Sequence, residues 1–301
     1  MSKNVVVIGG GIIGLCSAYY LQKEGHQVTI IDKSDFKTGA SYVNAGYITP
    51  SHIISLASPG IITQGIKWMF DSSSPFYVKP RLDIDFLKWT WAFKKSATAK
   101  KVAASIPVIK DINLLSRDLY EEIKASNDFN FHYERKGLMM YYQTDKVGEH
   151  EWELGKKALK AGLHAEHLTS MDAIRKYEPT VDLNVKGAVY FDCDAHMTPS
   201  DFMPEMVGYL KSKGVQIFAN EAVKDVEVKN QVISKVITDK AIYDADEVVM
   251  AAGSWSPLLT KKLGIKIPIQ AGKGYRINVE RETNITVPSI LCEAKVAVTP
   301  M

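Results

Sequence analysis

The stretch Val5-Val6-Val7-Ile8-Gly9-Gly10-Gly11-Ile12-Ile13-Gly14, with Gln27-Val28-Thr29-Ile30-Ile31-Asp32 behind it, carries the architecture of this chain. Four β-branched residues in a row suit a strand buried on both faces, where no polar alternation is needed. Gly9 to Gly14 matches G-x-G-x-x-G, and Ile12 to Glu24 then reads as a helix ending near Gly25. Gln27 to Ile31 is a second apolar strand. Strand, helix and strand within about thirty residues make a βαβ unit. The glycine pattern alone is weak. A strand before it, a helix after it and an acid closing the next strand are the context that a dinucleotide fingerprint requires.

In that context Gly9 permits the tight turn, Gly11 lacks the Cβ that would block a pyrophosphate, and Gly14 lets the helix pack closely. The helix start at Ile12 and Ile13 offers backbone N–H groups and a positive dipole end to the phosphates. Asp32, with Lys33 beside it, can accept both ribose hydroxyls and would repel a 2′-phosphate, which speaks against NADP. FAD and NAD share this fingerprint. A second small-residue loop, Gly39-Ala40-Ser41-Tyr42-Val43-Asn44-Ala45-Gly46, suits a longer cofactor whose far end passes close to backbone, and so favours FAD. The alternative is an ordinary Gly/Ser/Asn connection.

Composition is that of an ordinary soluble globular protein: 301 residues, 46% hydrophobic, 24% charged, net charge +3. A charge this mild leaves no footprint for nucleic acid. The three cysteines, Cys16, Cys193 and Cys292, are sparse and unpaired in pattern, which argues for a reducing compartment. A cytoplasmic location is expected, or a peripheral one at the inner face of the plasma membrane. Residues Val5 to Leu21 mimic a signal peptide, but their glycines interrupt the apolar run and no A-x-A site follows.

Beyond Tyr47 the texture turns to Pro, Ser and Gly mixed with Trp68, Phe70, Phe76, Tyr77, Phe86, Trp89, Trp91 and Phe93. Ile112, Leu115, Leu119 and Ile123 recur at helical spacing and predict one amphipathic helix. Gly137 to Tyr142 reads as a strand, and Trp152 to Leu163 and Ser170 to Tyr177 as helices. A helix from Asp201 to Lys213 leads to four strand-like runs at 215–219, 223–228, 232–238 and 247–252, the last ending in Ala251-Ala252-Gly253-Ser254. The expected class is α/β: a discontinuous Rossmann-like domain over 1–55 and 195–258, with a mixed-sheet α+β substrate domain over 56–194 and 259–301.

The runs GGGIIGLCSAYYL, IIDKS and GASYVNAGYITPSH, with Ala57-Ser58-Pro59-Gly60, Lys67-Trp68-Met69-Phe70, Ala251 to Ser256 and Lys273-Gly274-Tyr275, follow one another in a familiar order. The chain resembles the FAD-dependent D-amino-acid dehydrogenase family, within the group that includes glycine oxidase, sarcosine oxidase and D-amino-acid oxidase. The resemblance runs along essentially all of it. It implies that Ala40, Ser41, Asn44, Ala45 and Gly46 lie along the flavin and its diphosphate. It also implies that Val223 meets the adenine end through its backbone and that Ala252 and Gly253 sit beside the cofactor. A C-terminal segment closing over the flavin, with a substrate-carboxylate arginine in a Gly-Leu-Arg-Pro-like motif, is expected beyond Met301.

The implied reaction is oxidative deamination of a D-amino acid to a 2-oxo acid and ammonia, by hydride transfer to FAD. A D-proline or hydroxyproline dehydrogenase and a glycine-oxidase-like amine oxidase are alternatives within the class. A non-catalytic flavin-binding subunit and an NAD-dependent dehydrogenase are the rivals outside it. His52 either faces the flavin or the substrate amine, or is a satisfied loop histidine. Tyr275 either binds a substrate carboxylate or is a half-buried strand tyrosine. Asp192-Cys193-Asp194-Ala195-His196 fits no zinc spacing and reads as a polar loop at a domain junction, so no metal is expected. Trp68 to Phe93, with Lys94, Lys95, Lys100 and Lys101, reads either as core packing beside a basic face or as a surface for a membrane. Core packing is the leading reading, and the resemblance adds weight to the second, because relatives pass electrons to a membrane quinone. The sequence specifies no oligomeric state.

Overall fold

The computed structural model describes residues 1–61, 63, 65 and 83–301. The Lys67–Phe70 segment and the aromatics from Trp68 to Tyr77 lie outside the described residues. In chain order the elements are β1 (Asn4–Ile8), α1 (Ile12–Lys23), β2 (Gln27–Ile31) and β3 (Tyr47–Ile48). Helices α2 (Ile84–Ser96) and α3 (Ala99–Ala125) precede β4 (Tyr133–Glu134), β5 (Leu138–Tyr142), α4 (Asp145–Lys160) and β6 (Glu166–Leu168). Next come α5 (Met171–Arg175), β7 (Gly187–Phe191), β8 (Ala195–Met197), α6 (Pro199–Ser212) and β9 (Gln216–Phe218). The last are β10 (Val223–Lys229), β11 (Val232–Thr238), β12 (Ile242–Asp244), β13 (Glu247–Met250), α7 (Ser256–Thr260), β14 (Ser289–Leu291) and β15 (Val296–Val298).

The chain divides into two compact units. The first comprises Met1–Asn44, Ser126–Phe131 and Pro199–Arg276. Its sheet has the order β13-β1-β2-β9 with every neighbouring pair parallel. Val5, Val6, Val7 and Ile8 are all buried, which is why β1 carries no polar alternation. Helix α1 buries Leu15, Ala18 and Tyr19, and the Tyr19 ring meets Tyr209 of α6 and Phe129 at 5.5 and 5.9 Å. Phe202, Met206 and Leu210 line the buried face of α6. Removing side chains of this size from water contributes roughly 1.5–3 kcal/mol each. An antiparallel ribbon, β10-β11-β12, completes the unit.

The second unit comprises Ala45–Ala125, His132–Thr198 and Ile277–Met301. It holds a mixed five-stranded sheet, β15-β14-β5-β7-β6, and a short antiparallel sheet, β3-β8-β4. β5 and β7 are buried along their whole length, with α4 over one face. Two expectations need correction here. The stripe read on α3 is not its buried face: Ile123 is buried, but Ile112 and Leu115 are exposed, and Ile106 and Leu114 make the packing contacts. Spacing finds a helix, but which arc meets the core depends on a partner the spacing does not specify. The Asp192–His196 segment is a loop only in part. Asp192 and Cys193 form a turn with Asp192 exposed, but Ala195 and His196 belong to β8, and Asp194 and His196 are each 0% exposed.

Candidate cofactor site and active-site residues

The glycine turn of the first unit sits at the C-terminal ends of β1 and β13, adjacent strands of a parallel sheet, where open α/β sheets place their ligands. Gly9 has φ +113°, and a Cβ there would stand 2.4 Å from the Ala251 carbonyl oxygen. Its need for glycine is thus set by the end of β13 as much as by the turn. A Cβ on Gly14 would lie 1.8 Å from the Gly9 carbonyl oxygen, the close approach of helix to turn that the motif implies. Ala252 and Gly253 follow β13 directly, and Gly253 (φ +56°) opens a short 3₁₀ turn through Trp255.

Helix α1 starts without a side-chain cap, because Gly11 stands at the N-cap. The Ile12 N–H donates instead to Oγ of Ser41 at 3.0 Å, which brings the second small-residue loop onto the helix end. Within that loop Tyr42 and Val43 donate backbone N–H groups to Gly39, and Asn44 Nδ2 donates to the carbonyls of Ala40 and Ser41, each at 3.0 Å. The loop is therefore a closed turn held by its own asparagine. Ile13 exposes its side chain, and Lys33 Nζ stands 3.5 Å from the centroid of the Trp255 ring.

Asp32 is the hub of the turn. Its Oδ2 accepts the Gly10 N–H at 2.6 Å, and its Oδ1 accepts the Ser34 N–H at 2.7 Å and the Ser34 hydroxyl at 2.6 Å. A carboxylate offers about four acceptor positions, so three are in use. Both hydroxyls of a ribose fit only if the rotatable Ser34 hydroxyl turns away. Gly10, the variable position of the motif, matters for a reason the pattern does not contain. A Cβ there would come 1.9 Å from Cε1 of Phe36, whose own backbone is left-handed at φ +65°. Val223 opens β10 opposite Thr238, and a register shift before Asp225 interrupts the ladder beside it.

The donors and the space suit a dinucleotide. The start of α1 supplies N–H groups for the phosphates, the Ile12 N–H being taken by Ser41 Oγ unless that hydroxyl yields, Gly11 leaves only the Ser41 hydroxyl beside it, and Asp32 supplies the acid. The second small-residue loop suits the longer reach of FAD.

In the second unit, Ala45 accepts the Thr299 hydroxyl at 2.6 Å, and Gly46 accepts the Met197 N–H at 2.9 Å, tying the loop's end to β8. His52 is solvent accessible and leans on a buried pair that sequence reading missed. Asp194 accepts from Ser51 twice, from its N–H at 2.8 Å and its hydroxyl at 2.5 Å, and Ser51 Oγ is 3.1 Å from His52 Nδ1. A Ser51 hydroxyl committed to Asp194 leaves its oxygen to accept from His52 Nδ1–H. The network thereby assigns the lone pair to Nε2. Burial pushes the Asp194 carboxyl up to about 6, against the hydrogen bonds from Ser51 and Cys193 and the charge of Arg117. No local pattern links residues 143 apart, so only the tertiary fold reveals the pair.

Tyr275 is 87% exposed and lies in no strand, which removes the half-buried strand reading. Lys273 Nζ stands 5.0 Å from its ring centroid. Tyr275 belongs to the first unit and His52 to the second.

Residues 4–301 match the family described as DAO, FAD dependent oxidoreductase. The sequence is 33% identical over 304 residues to the D-amino acid dehydrogenase of Helicobacter pylori, covering 100% of this chain and 72% of that protein. The crystal structure of L-proline dehydrogenase from P. horikoshii is similar at a TM-score of 0.66 and 18% identity, over 100% of this chain and 67% of that one. Glycine oxidase from Bacillus cereus ATCC 14579 gives 0.59 at 22% identity, over 86% of this chain, which spans 58% of the oxidase. These structural likenesses establish the fold, and the glycine turn, the acid and the sequence match agree on one assignment. The chain belongs to the DAO family of FAD-dependent oxidoreductases.

Proposed function

We propose that the protein oxidatively deaminates D-amino acids with FAD as the hydride acceptor. The observation that carries this reading is its sequence likeness, along the whole chain, to a bacterial D-amino acid dehydrogenase. Gly9, Gly11, Ile12, Ile13 and Gly14 would hold the pyrophosphate, Asp32 and Lys33 the adenosine side and Val223 the adenine; Ala40, Ser41, Asn44, Ala45, Gly46, Ala252 and Gly253 would hold the flavin side. Bound FAD supplies the two-electron acceptor, which no side chain can provide.

The protein's part is to bind, orient and deprotonate. A D-amino acid arrives as its ammonium form and must lose a proton before its Cα hydrogen can depart as hydride. His52 Nε2, left with its lone pair by the Ser51–Asp194 pair, is the group assigned to hold that proton. Ser51 and Asp194 are positioning residues. Tyr275 contributes its hydroxyl to the substrate carboxylate. The resulting imine hydrolyses to the 2-oxo acid and ammonia.

A quinone at a membrane surface would be the acceptor that reoxidises the bound cofactor. This acceptor is supported by α2, on which Ile84, Leu87 and Trp91 are 69%, 54% and 61% exposed at helical spacing beside Lys88, Lys94 and Lys95. No helix among the described residues is long and apolar enough to cross a membrane. The deciding experiment is an anaerobic visible spectrum of the flavin-loaded protein with a panel of D-amino acids, including D-proline, and glycine. Bleaching of the flavin band by D-amino acids is expected. A yellow protein that none of them bleaches would sink the reading.

A further inference from the structure

A second constellation lies on the short sheet of the second unit, and the proposed reaction does not use it. β4 and β8 pair antiparallel with Glu134 directly opposite His196. His132 is two residues before Glu134 and so shares its face, and its carbonyl accepts the Thr198 N–H at 3.1 Å, which extends the ladder by one pair. His132, Glu134, His196 and Thr198 therefore project from one side of the sheet. His132 Nε2 and His196 Nε2 each stand 3.7 Å from the same Glu134 oxygen, and one donor atom from each of the three residues lies within 4.8 Å of the others.

His196 is completely buried, and among the described residues neither ring nitrogen has a partner of good hydrogen-bond geometry, although the Pro300 backbone carbonyl approaches the ring closely enough to interact with it. Buried polar groups are almost always satisfied, so an orphaned imidazole facing a second imidazole and a carboxylate calls for an explanation. We propose that His132, Glu134 and His196 bind a divalent transition-metal ion, zinc by preference, with a water in the fourth position.

The geometry suits that ion. Tetrahedral zinc with ligands near 2.0–2.1 Å places neighbouring ligand atoms about 3.4 Å apart, so the two 3.7 Å edges need to close by a few tenths of an ångström, while the edge between the two histidines, within 4.8 Å, asks for a ring movement of up to about 1.4 Å. Two imidazoles and a carboxylate are a recurrent zinc donor set. Imidazole nitrogens select zinc, copper or nickel over magnesium and calcium. Thr198 Oγ1 stands 3.3 Å from His132 Nδ1 and orients that ring from behind, as outer-shell partners of ligating histidines do. Tyr47, across β8 from His196, commits its hydroxyl to the carbonyls of Ser289 and Val298 and is no fourth ligand. One feature opposes binding: Lys136 Nζ lies 2.8 Å from the Glu134 oxygen that would take the metal. Its side chain is 43% exposed and can withdraw to solvent, but its charge competes with the ion.

The test uses the flavin-loaded full chain, stripped with chelator and titrated with zinc chloride against a coloured zinc indicator, with bound metal counted after gel filtration. One zinc per chain is expected. His132→Ala and Glu134→Gln, at side chains 35% exposed, should each weaken binding by tenfold or more, roughly the range seen for outer-shell losses and above. Lys136→Ala should tighten it. His196→Gln should abolish binding, and if that buried change prevents folding the two exposed variants still decide. No zinc retained, equal zinc in His132→Ala and Glu134→Gln, or equal affinity for calcium or magnesium would each overturn the proposal. Every readout is metal binding, so failure here leaves the flavin reading untouched.

Discussion

The Ser51 hydroxyl lies 2.5 Å from Oδ2 of Asp194, a fully buried carboxylate that also takes the Ser51 N–H. The pair joins the loop after β3 to the entrance of β8 and presents one oxygen to the His52 ring. Ser51→Ala removes a donor from a buried carboxylate and the acceptor of His52 Nδ1–H. A stability loss of about 1–3 kcal/mol is expected in denaturant unfolding. The turnover number should fall by about tenfold or more, with a shifted pH profile, as His52 loses its tautomer. Ser51→Thr should recover most of both. An unchanged pH profile in Ser51→Ala would show that the pair is purely structural.

Asp194 also predicts a pH dependence. Its carboxyl is raised from 3.8 to about 6, so the folded chain holds the proton more tightly than the unfolded one. Stability from this group is complete below 3.8 and is lost as pH rises through about 6. The difference is worth on the order of 3 kcal/mol. Asp194→Asn cannot ionise. The unfolding free energy of the parent relative to this variant should therefore drop by about that amount between roughly pH 4 and pH 7. A constant difference across that range would rule out the raised carboxyl.

Gly14→Ala drives a methyl group to within 1.8 Å of the Gly9 carbonyl oxygen, a backbone atom that cannot swing aside. The helix start must lift from the strand end, at a cost of about 1–3 kcal/mol or more. A lowered Tm together with loss of FAD on gel filtration is the expected result. Retention of both would mean that the turn relaxes without consequence.

For Asp32→Ala, the Gly10 N–H loses its acceptor and the adenosine side loses its acid. Hydrogen bonds to charged groups contribute about 1.5–3 kcal/mol, so FAD affinity should fall by roughly ten- to a hundredfold in a flavin fluorescence titration. Wild-type affinity would place the ribose elsewhere.

On α2, the double variant Leu87→Ser with Trp91→Ala removes two largely exposed apolar side chains, Trp91 together with its ring contact to Lys95 Nζ. Folding and turnover with a water-soluble dye acceptor should be unchanged. Binding to anionic lipid vesicles and turnover with a vesicle-borne quinone should fall several-fold, since each apolar group left in water forfeits about 1 kcal/mol or more of interfacial burial. Equal vesicle binding would remove α2 from the acceptor surface.

The sequence by itself determined the parallel βαβ start, the glycines of the turn, the acid at its edge and the family order of the small-residue loops. These are local signals: a strand, a tight turn and a helix start are dictated by residues within a few positions of one another. It did not say which arc of α3 is buried: among the described residues Ile123 is buried and Leu119 half-buried, while Ile112 and Leu115 of the same stripe are exposed. Nor did it reveal that Gly10 answers to Phe36, that Ser51 answers to Asp194, or that His196 faces His132 and Glu134. Those relations arise where strand register aligns residues far apart along the chain. A period-two ladder places Glu134 opposite His196 only once β4 and β8 have paired, and no spacing within either strand encodes its partner.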